Sequence, residues 1–542
     1  MKRLIAAFCL LALAGCSAHE STDSKTAQIS APAGDNWVTP GGDLGKSHYS
    51  ALTDINHSNV EDIGLAWSAD LGTNRGLEAT PVVIDGVMYT SGVAGRAYAF
   101  NAATGKKLWE FDPDVNMQVN RTACCDMVNR GVAVAHGKVY VAALDGVLYA
   151  LDARTGKVAW KVDTIDDHKR GTNSTGAPEV AGNVVVIGNA GAEYDVRGYV
   201  SAYDLDSGKL AWRFYIVPHD PKKGPQENAA LQKAVKTWDP NSRWDVGGGG
   251  APWDAINYDP LTGYVLIGTG NGGPYDVYRR SPSGGDNLYL SSIVALDAKT
   301  GKMKWYYQET PGDSWDFTAT APMILTRMDI DGEKNRPVLI QSPKNGFLYI
   351  LDRRTGKLLL AHTLVRMDWA DGVDMKTGRP NLTPQGSDYS KGPKIVFPAT
   401  SGARNWEPAA YDPGTGLYYA AVQDMGNLIY TTPGEKPYAR KALNNDASLI
   451  FTPDLLAVLP TLPPAMRQQV EALPQMKWVK QNPGGTELRA IDPLTGKTKW
   501  AHPMGGWQDR GGTLATAGGL VFQGSIDGNF RAFDARTGQL LK

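Results

Sequence analysis

Alternating apolar positions such as Leu148, Ala150 and Val158 recur along the chain with the period of two that suits half-buried β-strands. Between such runs one cassette keeps returning: an apolar or aromatic pair, Asp, two residues, Thr-Gly-Lys, two residues and Trp. It runs from Ala99 through Asn101 and Gly105 to Trp109, from Asp152 to Trp160, from Asp204 to Trp212, from Asp297 to Trp305 and from Asp492 to Trp500. Asp352 to Leu360 keeps the turn without the Trp, and Asp534-Ala535-Arg536-Thr537-Gly538 begins a further copy. Asp-x-x-Thr-Gly is hairpin chemistry, with Gly supplying a positive φ, and the Trp gains a fixed place to stack on a neighbouring unit. Gly105, Gly156 and Gly208 lie about fifty residues apart, the length of a four-stranded propeller blade. Trp67 reads as a docking Trp without its hairpin, and counting it predicts an all-β, eight-bladed β-propeller. Asp259 to Gly263 and Asp412 to Gly416 read as inner hairpins of blades. Residues 441–482 break the rhythm, and Pro463 to Leu473 suits a short helix on an inserted loop.

Composition narrows the partners. The 542 residues carry 55 basic and 56 acidic side chains, a formal net charge of -1, which excludes the basic excess of a nucleic-acid binder. Four cysteines are too few for a disulfide scaffold. The chain opens Met1-Lys2-Arg3 and runs apolar from Leu4 to Ala14, too short to span a bilayer and of the form of a secretory leader. Leu13-Ala14-Gly15-Cys16 resembles the lipobox of bacterial lipoproteins. Residues 1–15 are therefore read as a lipoprotein signal peptide, 16–35 as a flexible tether and 36–542 as the propeller. Cys16 would hold the protein to the outer membrane in the periplasm through its lipid.

Several segments stand outside the repeat. Cys124-Cys125 lies within Arg121-Thr122-Ala123-Cys124-Cys125-Asp126-Met127-Val128-Asn129-Arg130-Gly131, where two small buried thiols are the bland alternative. Trp253 follows a glycine run, Gly248-Gly249-Gly250-Ala251-Pro252, and no hairpin cassette. Pro311-Gly312-Asp313-Ser314-Trp315-Asp316-Phe317-Thr318 packs a Trp-Asp pair between turn residues.

Together these segments strongly resemble the quinoprotein alcohol dehydrogenases, which use pyrroloquinoline quinone (PQQ), over roughly residues 36–542. The match is strongest to the quinohaemoprotein alcohol dehydrogenases. The resemblance implies PQQ in the central channel between the Trp253 ring and a Cys124–Cys125 disulfide. It implies Arg130 as counter-ion to a PQQ carboxylate, and Glu78, Thr175, Gly191, Ala192, Lys344, Asn405 and Trp406 as further cofactor contacts. Glu193, Asn271 and Asp316 match the ligands of a hard cation, and Asp316 also matches the catalytic base. Lanthanide-using relatives carry an Asp two residues after the base; Thr318 stands there, so Ca2+ is expected. Many relatives have Thr where Ala251 stands, which puts one cofactor hydrogen bond in doubt.

The implied activity is oxidation of a small alcohol to an aldehyde or ketone. Quinohaemoproteins continue into a cytochrome c domain bearing Cys-x-x-Cys-His, a motif lacking here, so electrons are expected to pass to a separate acceptor such as a periplasmic cytochrome c. Relatives also extend beyond the last hairpin, so the eighth blade is expected to lack its outer strand or to close with the N-terminal segment. A non-catalytic propeller lipoprotein scaffold and a decayed, truncated dehydrogenase are the rival readings. A scaffold has no use for Cys124, Cys125, Arg130, Glu193, Asn271 and Asp316 together.

Overall fold

The computed structural model describes residues 33–383, 388–431, 438–506 and 508–542. The leader, Cys16 and Trp507 lie outside the described residues. Among them, seven four-stranded sheets form, over 82–111, 133–163, 179–215, 256–308, 324–363, 410–503, and 513–534 with Tyr49–Ser50. Apart from the last, each is an antiparallel meander of strands one to four.

The cassette makes the third hairpin of the first six sheets and follows the outermost strand of the last. In the second sheet the Asp152 carboxylate accepts from Thr155 N at 2.8 Å and Thr155 Oγ1 at 2.7 Å, and Gly156 takes φ 70°. A Cβ on Gly156 would meet Trp109 of the preceding sheet at 2.8 Å, and the Trp109 indole donates to Ala153 O at 2.9 Å. Trp67, Trp160, Trp212 and Trp500 dock on the hairpins at Gly105, Gly208, Gly301 and Gly538 in the same way, and Trp305 packs on Gly356. Where the cassette loses its Trp, His362 fills the place and packs on Gly496. Buried apolar clusters join each consecutive pair of sheets, so the core is a series of sheet-to-sheet interfaces.

The first strand of each sheet lies innermost. One N-terminal strap shows this, because it bonds to the first strands of five sheets and continues into Tyr49–Ser50, the first strand of the last. Trp37 pairs with Val83, and Lys46 Nζ reaches Glu179 at 2.9 Å and Ile256 O at 2.6 Å. Gly45 O, Ser47 O and His48 O accept from Leu325 N, Tyr411 N and Ala515 N. The strands therefore surround one axis as a propeller, with the strap across one end.

Seven four-stranded sheets stand among the described residues, with a two-stranded and a three-stranded sheet beside them; the expected eighth blade is not among the four-stranded ones. Trp67 sits in an extended stretch, 63–81, that docks on the first sheet without strand pairing of its own. In the last sheet Tyr49 and Ser50 pair in parallel with Ala515 and Thr516, and a single bridge joins Leu540 to Phe533. The lookalike turns at Asp259 and Asp412 are first hairpins, as read. The rhythm-breaking segment leaves the sixth sheet as Asn427–Thr431 and Ala447–Phe451, followed by helices Thr452–Val458, Pro464–Glu471 and Met476–Gln481. No described helix is long and apolar enough to cross a membrane.

Candidate active site

In an antiparallel four-stranded sheet, the loop joining strands two and three and the loop to the next sheet open on the same end. The cassette hairpins open on the other end. Every residue singled out above for cofactor, cation or catalysis sits on that shared end, away from the repeat. Gly191, Ala192, Glu193, Asn271 and Lys344 come from second-to-third-strand loops. Glu78, Cys124, Cys125, Arg130, Thr175, Trp253, Asp316, Asn405 and Trp406 come from segments leading into first strands. All of them line one cavity of about 350 Å³ on the propeller axis. A smaller chamber of about 70 Å³ lies between this cavity and the strap, sharing Glu78, Arg130 and Trp406 with it.

Local backbone chemistry sets the side chains. Gly247, Gly248, Gly249 and Gly250 all take φ between 79° and 89°. A Cβ on Gly249 would stand 2.4 Å from Asn271 O, so only glycine lets this run pass the Asn271 loop and deliver Trp253. Asp316 takes φ 64° in a turn held by the buried Asp313 carboxylate, which accepts from Trp315 N at 3.1 Å and Phe317 N at 3.0 Å. Trp315, Phe317 and Trp369 pack beneath it as a ring cluster.

Charges in the cavity are few and placed. Arg130 pairs with Glu78 at 2.7 Å and donates to Thr175 Oγ1 at 2.8 Å. Its guanidinium lies 4.7 Å from the Trp253 ring centroid and 5.5 Å from that of Trp406. Burial pushes the Glu78 carboxyl up, and Arg130 is the chief opposing influence. Asp316 faces Lys344 Nζ at 2.9 Å. Burial pushes its carboxyl up to about 7; Lys344 opposes this and the Glu193 charge adds to it. Glu193 Oε1 accepts from Asn271 Nδ2 at 3.2 Å and from the Tyr275 hydroxyl at 3.3 Å.

The expected Cys124–Cys125 disulfide is corrected. Both residues carry free thiols, with sulfurs 2.7 Å apart against about 2.05 Å for a bond. The neighbouring sulfur and burial push the Cys124 thiol up, while the neighbouring sulfur draws the Cys125 thiol down.

The residues fit the implied groups. Arg130 Nε is buried with no hydrogen-bond partner, an orphan donor that a carboxylate of a tricarboxylate cofactor would satisfy. Among the described residues no three His, Cys, Asp or Glu side chains cluster as a metal site. The cation set depends on the Asn271 amide, which presents oxygen in place of nitrogen after a half-turn. Two carboxylates and an amide suit a hard cation, and the Glu193–Asp316 repulsion favours one.

Asn173, Ala190, Tyr275, Leu443 and Arg510 also line the cavity and were not anticipated. Tyr275 follows Gly272-Gly273-Pro274 directly after Asn271, a turn signal that marks it in retrospect. Leu443 comes from the segment that broke the repeat, where no periodicity pointed to the axis.

Comparison with known proteins agrees. Residues 37–366 and 369–542 match the family profile of PQQ glucose/ethanol/alcohol dehydrogenases, β-propeller domain. Quinohemoprotein alcohol dehydrogenase ADH IIB of Pseudomonas putida is 46% identical over 520 residues, covering 96% of this chain and 71% of that protein. The quinohemoprotein alcohol dehydrogenase of Comamonas testosteroni is 43% identical over 97% of this chain and 71% of its own length. Among solved structures, ADHIIG of Pseudomonas putida HK5 superposes with TM-score 0.85 at 44% identity, covering 93% of this chain and 72% of that one. A europium-containing methanol dehydrogenase superposes with TM-score 0.82 at 32% identity, covering 96% and 86%. With its axial cavity, its docked sheets and these relatives, the chain belongs to the family of PQQ-dependent quinoprotein alcohol dehydrogenases.

Proposed function

We propose that this protein oxidises an alcohol to an aldehyde or ketone in the periplasm, using PQQ and Ca2+ and passing electrons to a separate acceptor. The observation that carries the reading is the convergence on one axial cavity of residues scattered from Glu78 to Trp406. When bound, PQQ and its calcium supply an electrophilic quinone carbonyl as hydride acceptor. Asp316 takes the alcohol's hydroxyl proton on its carboxylate. Burial raises the Asp316 carboxyl and Lys344 opposes it; a cation held by Glu193, Asn271 and Asp316 would add to that opposition and favour the ionised form that accepts the proton. Arg130 would bind a cofactor carboxylate with its unpartnered Nε donor, while Glu78 and Thr175 hold the guanidinium in place. Lys344 orients Asp316 and stands by to contact the quinone oxygens. Glu193 and Asn271 would supply, with Asp316, oxygen donors to the cation. Trp253, Trp406, Gly191 and Ala192 form flat and small walls that exclude water, and Asn405 lines the same pocket.

Thr318, two residues past the proposed base, shares a hydrogen bond with the Thr320 hydroxyl at 2.7 Å and adds no charge, which favours calcium over a trivalent ion. The leader and the lipobox at Cys16 support a lipid-anchored periplasmic protein. The test is dye-linked alcohol oxidation by purified protein with PQQ and Ca2+ added, beside Asp316→Ala. Turnover that requires both additions and disappears in the variant supports the reading. A well-folded protein that binds no PQQ refutes it.

A further inference from the structure

Resting on that reading, we infer that Leu443 selects the alcohol by the length of its hydrocarbon arm. The remaining walls of the cavity are carboxylates, cations, amides, thiols, small residues and aromatic rings. Leu443 is the one branched aliphatic side chain among the described lining residues. It is 51% exposed, so it stands at the mouth with one side to solvent and the other to the cavity.

Its position is fixed to the reacting groups through the backbone. Asn444 N donates to Glu193 O at 2.8 Å, and Tyr275 N donates to Asn445 O at 3.2 Å. Both anchors are themselves cavity residues. On the other side of Leu443, Lys441 N donates to the fully buried Asp195 carboxylate, which also receives the Tyr438 hydroxyl and the Arg440 guanidinium. The Asn444 side chain braces the turn from within, donating to Ala442 O at 2.7 Å and Ala439 O at 3.2 Å. Leu443 is thus held on a hydrogen-bonded turn hung from the loop that carries the candidate cation ligand Glu193. An alcohol placed with its hydroxyl at Asp316 must lead its carbon arm outward through the mouth, and there the arm meets Leu443. Apolar contact at that point favours each methylene it covers by about four-fold in kcat/KM.

The test compares wild type, Leu443→Ala and Leu443→Phe across straight-chain primary alcohols from ethanol to 1-octanol, with PQQ and Ca2+ loaded. Cofactor affinity and circular dichroism serve as folding controls. Leu443→Ala is expected to lower kcat/KM for the longer alcohols about ten-fold through KM, leaving kcat and the ethanol value within two-fold. Leu443→Phe is expected to shift the optimum to shorter chains. In parallel, calorimetry follows binding of 1-butanol and 1-octanol to the loaded proteins. A chain-length profile that is the same in all three proteins overturns the inference. A wild type that oxidises no alcohol overturns the proposed function, and calorimetry then decides the inference separately. Length-dependent binding that Leu443→Ala flattens supports it, and its absence overturns it.

Discussion

Replacing Arg130 with Met isolates the charge economy of the site. The Arg130 side chain is 6% exposed and its partner Glu78 16%, so both are largely shielded from bulk water. The substitution removes the 2.7 Å ion pair, the bond to Thr175 Oγ1 and two cation–π contacts. Leaving a buried carboxylate unpaired costs about 3 kcal/mol, and the ring contacts add about 1 kcal/mol. The penalty depends on pH with a definite sign. Burial already raises the Glu78 carboxyl, and losing Arg130 removes the chief influence holding it down. A raised acid contributes stability below its unfolded value and loses it as pH rises through the folded value. Arg130→Met is therefore expected to cost about 2 kcal/mol less at pH 5 than at pH 8. Glu78→Gln/Arg130→Met is expected to regain most of the loss at pH 8, with no slope. Urea unfolding of the cofactor-free proteins at both pH values measures this. A loss below about 1 kcal/mol at pH 8, or equal losses at the two pH values, refutes the reasoning.

Asp316→Asn is expected to retain PQQ binding and to lose turnover by at least about a hundred-fold, read by single-turnover reduction of bound cofactor. Gly208→Ala forces a Cβ to 2.7 Å from Trp160 on a backbone at φ 68°, and a loss of about 2 kcal/mol is expected in chemical denaturation. Asp43, in the strap, is pushed up to about 6 by burial, so its stability contribution is full near pH 4 and falls as pH rises through 6. Thermal melts between pH 4 and 8 are expected to show that fall in wild type and a flatter profile in Asp43→Asn. Chelation by EGTA is expected to abolish turnover of the loaded enzyme, with recovery on adding Ca2+; activity that persists without any divalent cation counts against the Glu193–Asn271–Asp316 assignment.

The repeat was legible because its chemistry is local. Asp152, Thr155 and Gly156 make their hairpin from contacts three and four residues apart, so spacing alone reveals it. The inner hairpins at Asp259 and Asp412 and the helix at Pro464–Glu471 were readable for the same reason. The site residues lie outside that local code. Glu78 and Arg130, or Lys344 and Asp316, pair across long stretches of sequence, and their motifs were recognised by resemblance and not by any period in the chain. Periodicity leaves the sheet count open where a Trp such as Trp67 docks from an extended stretch. It is equally silent on whether adjacent cysteines are bonded, since that depends on the approach of two sulfurs set by the turn around them. Leu443 shows the limit most plainly. Its segment carries no repeat, and it reaches the axis only because the turn before the Ala447–Phe451 strand hangs from Glu193 and Asp195. Local backbone chemistry dictates hairpins and docking units; the meeting of loops from different sheets is decided by how the sheets close around the axis, a long-range packing outcome that no short window of sequence contains.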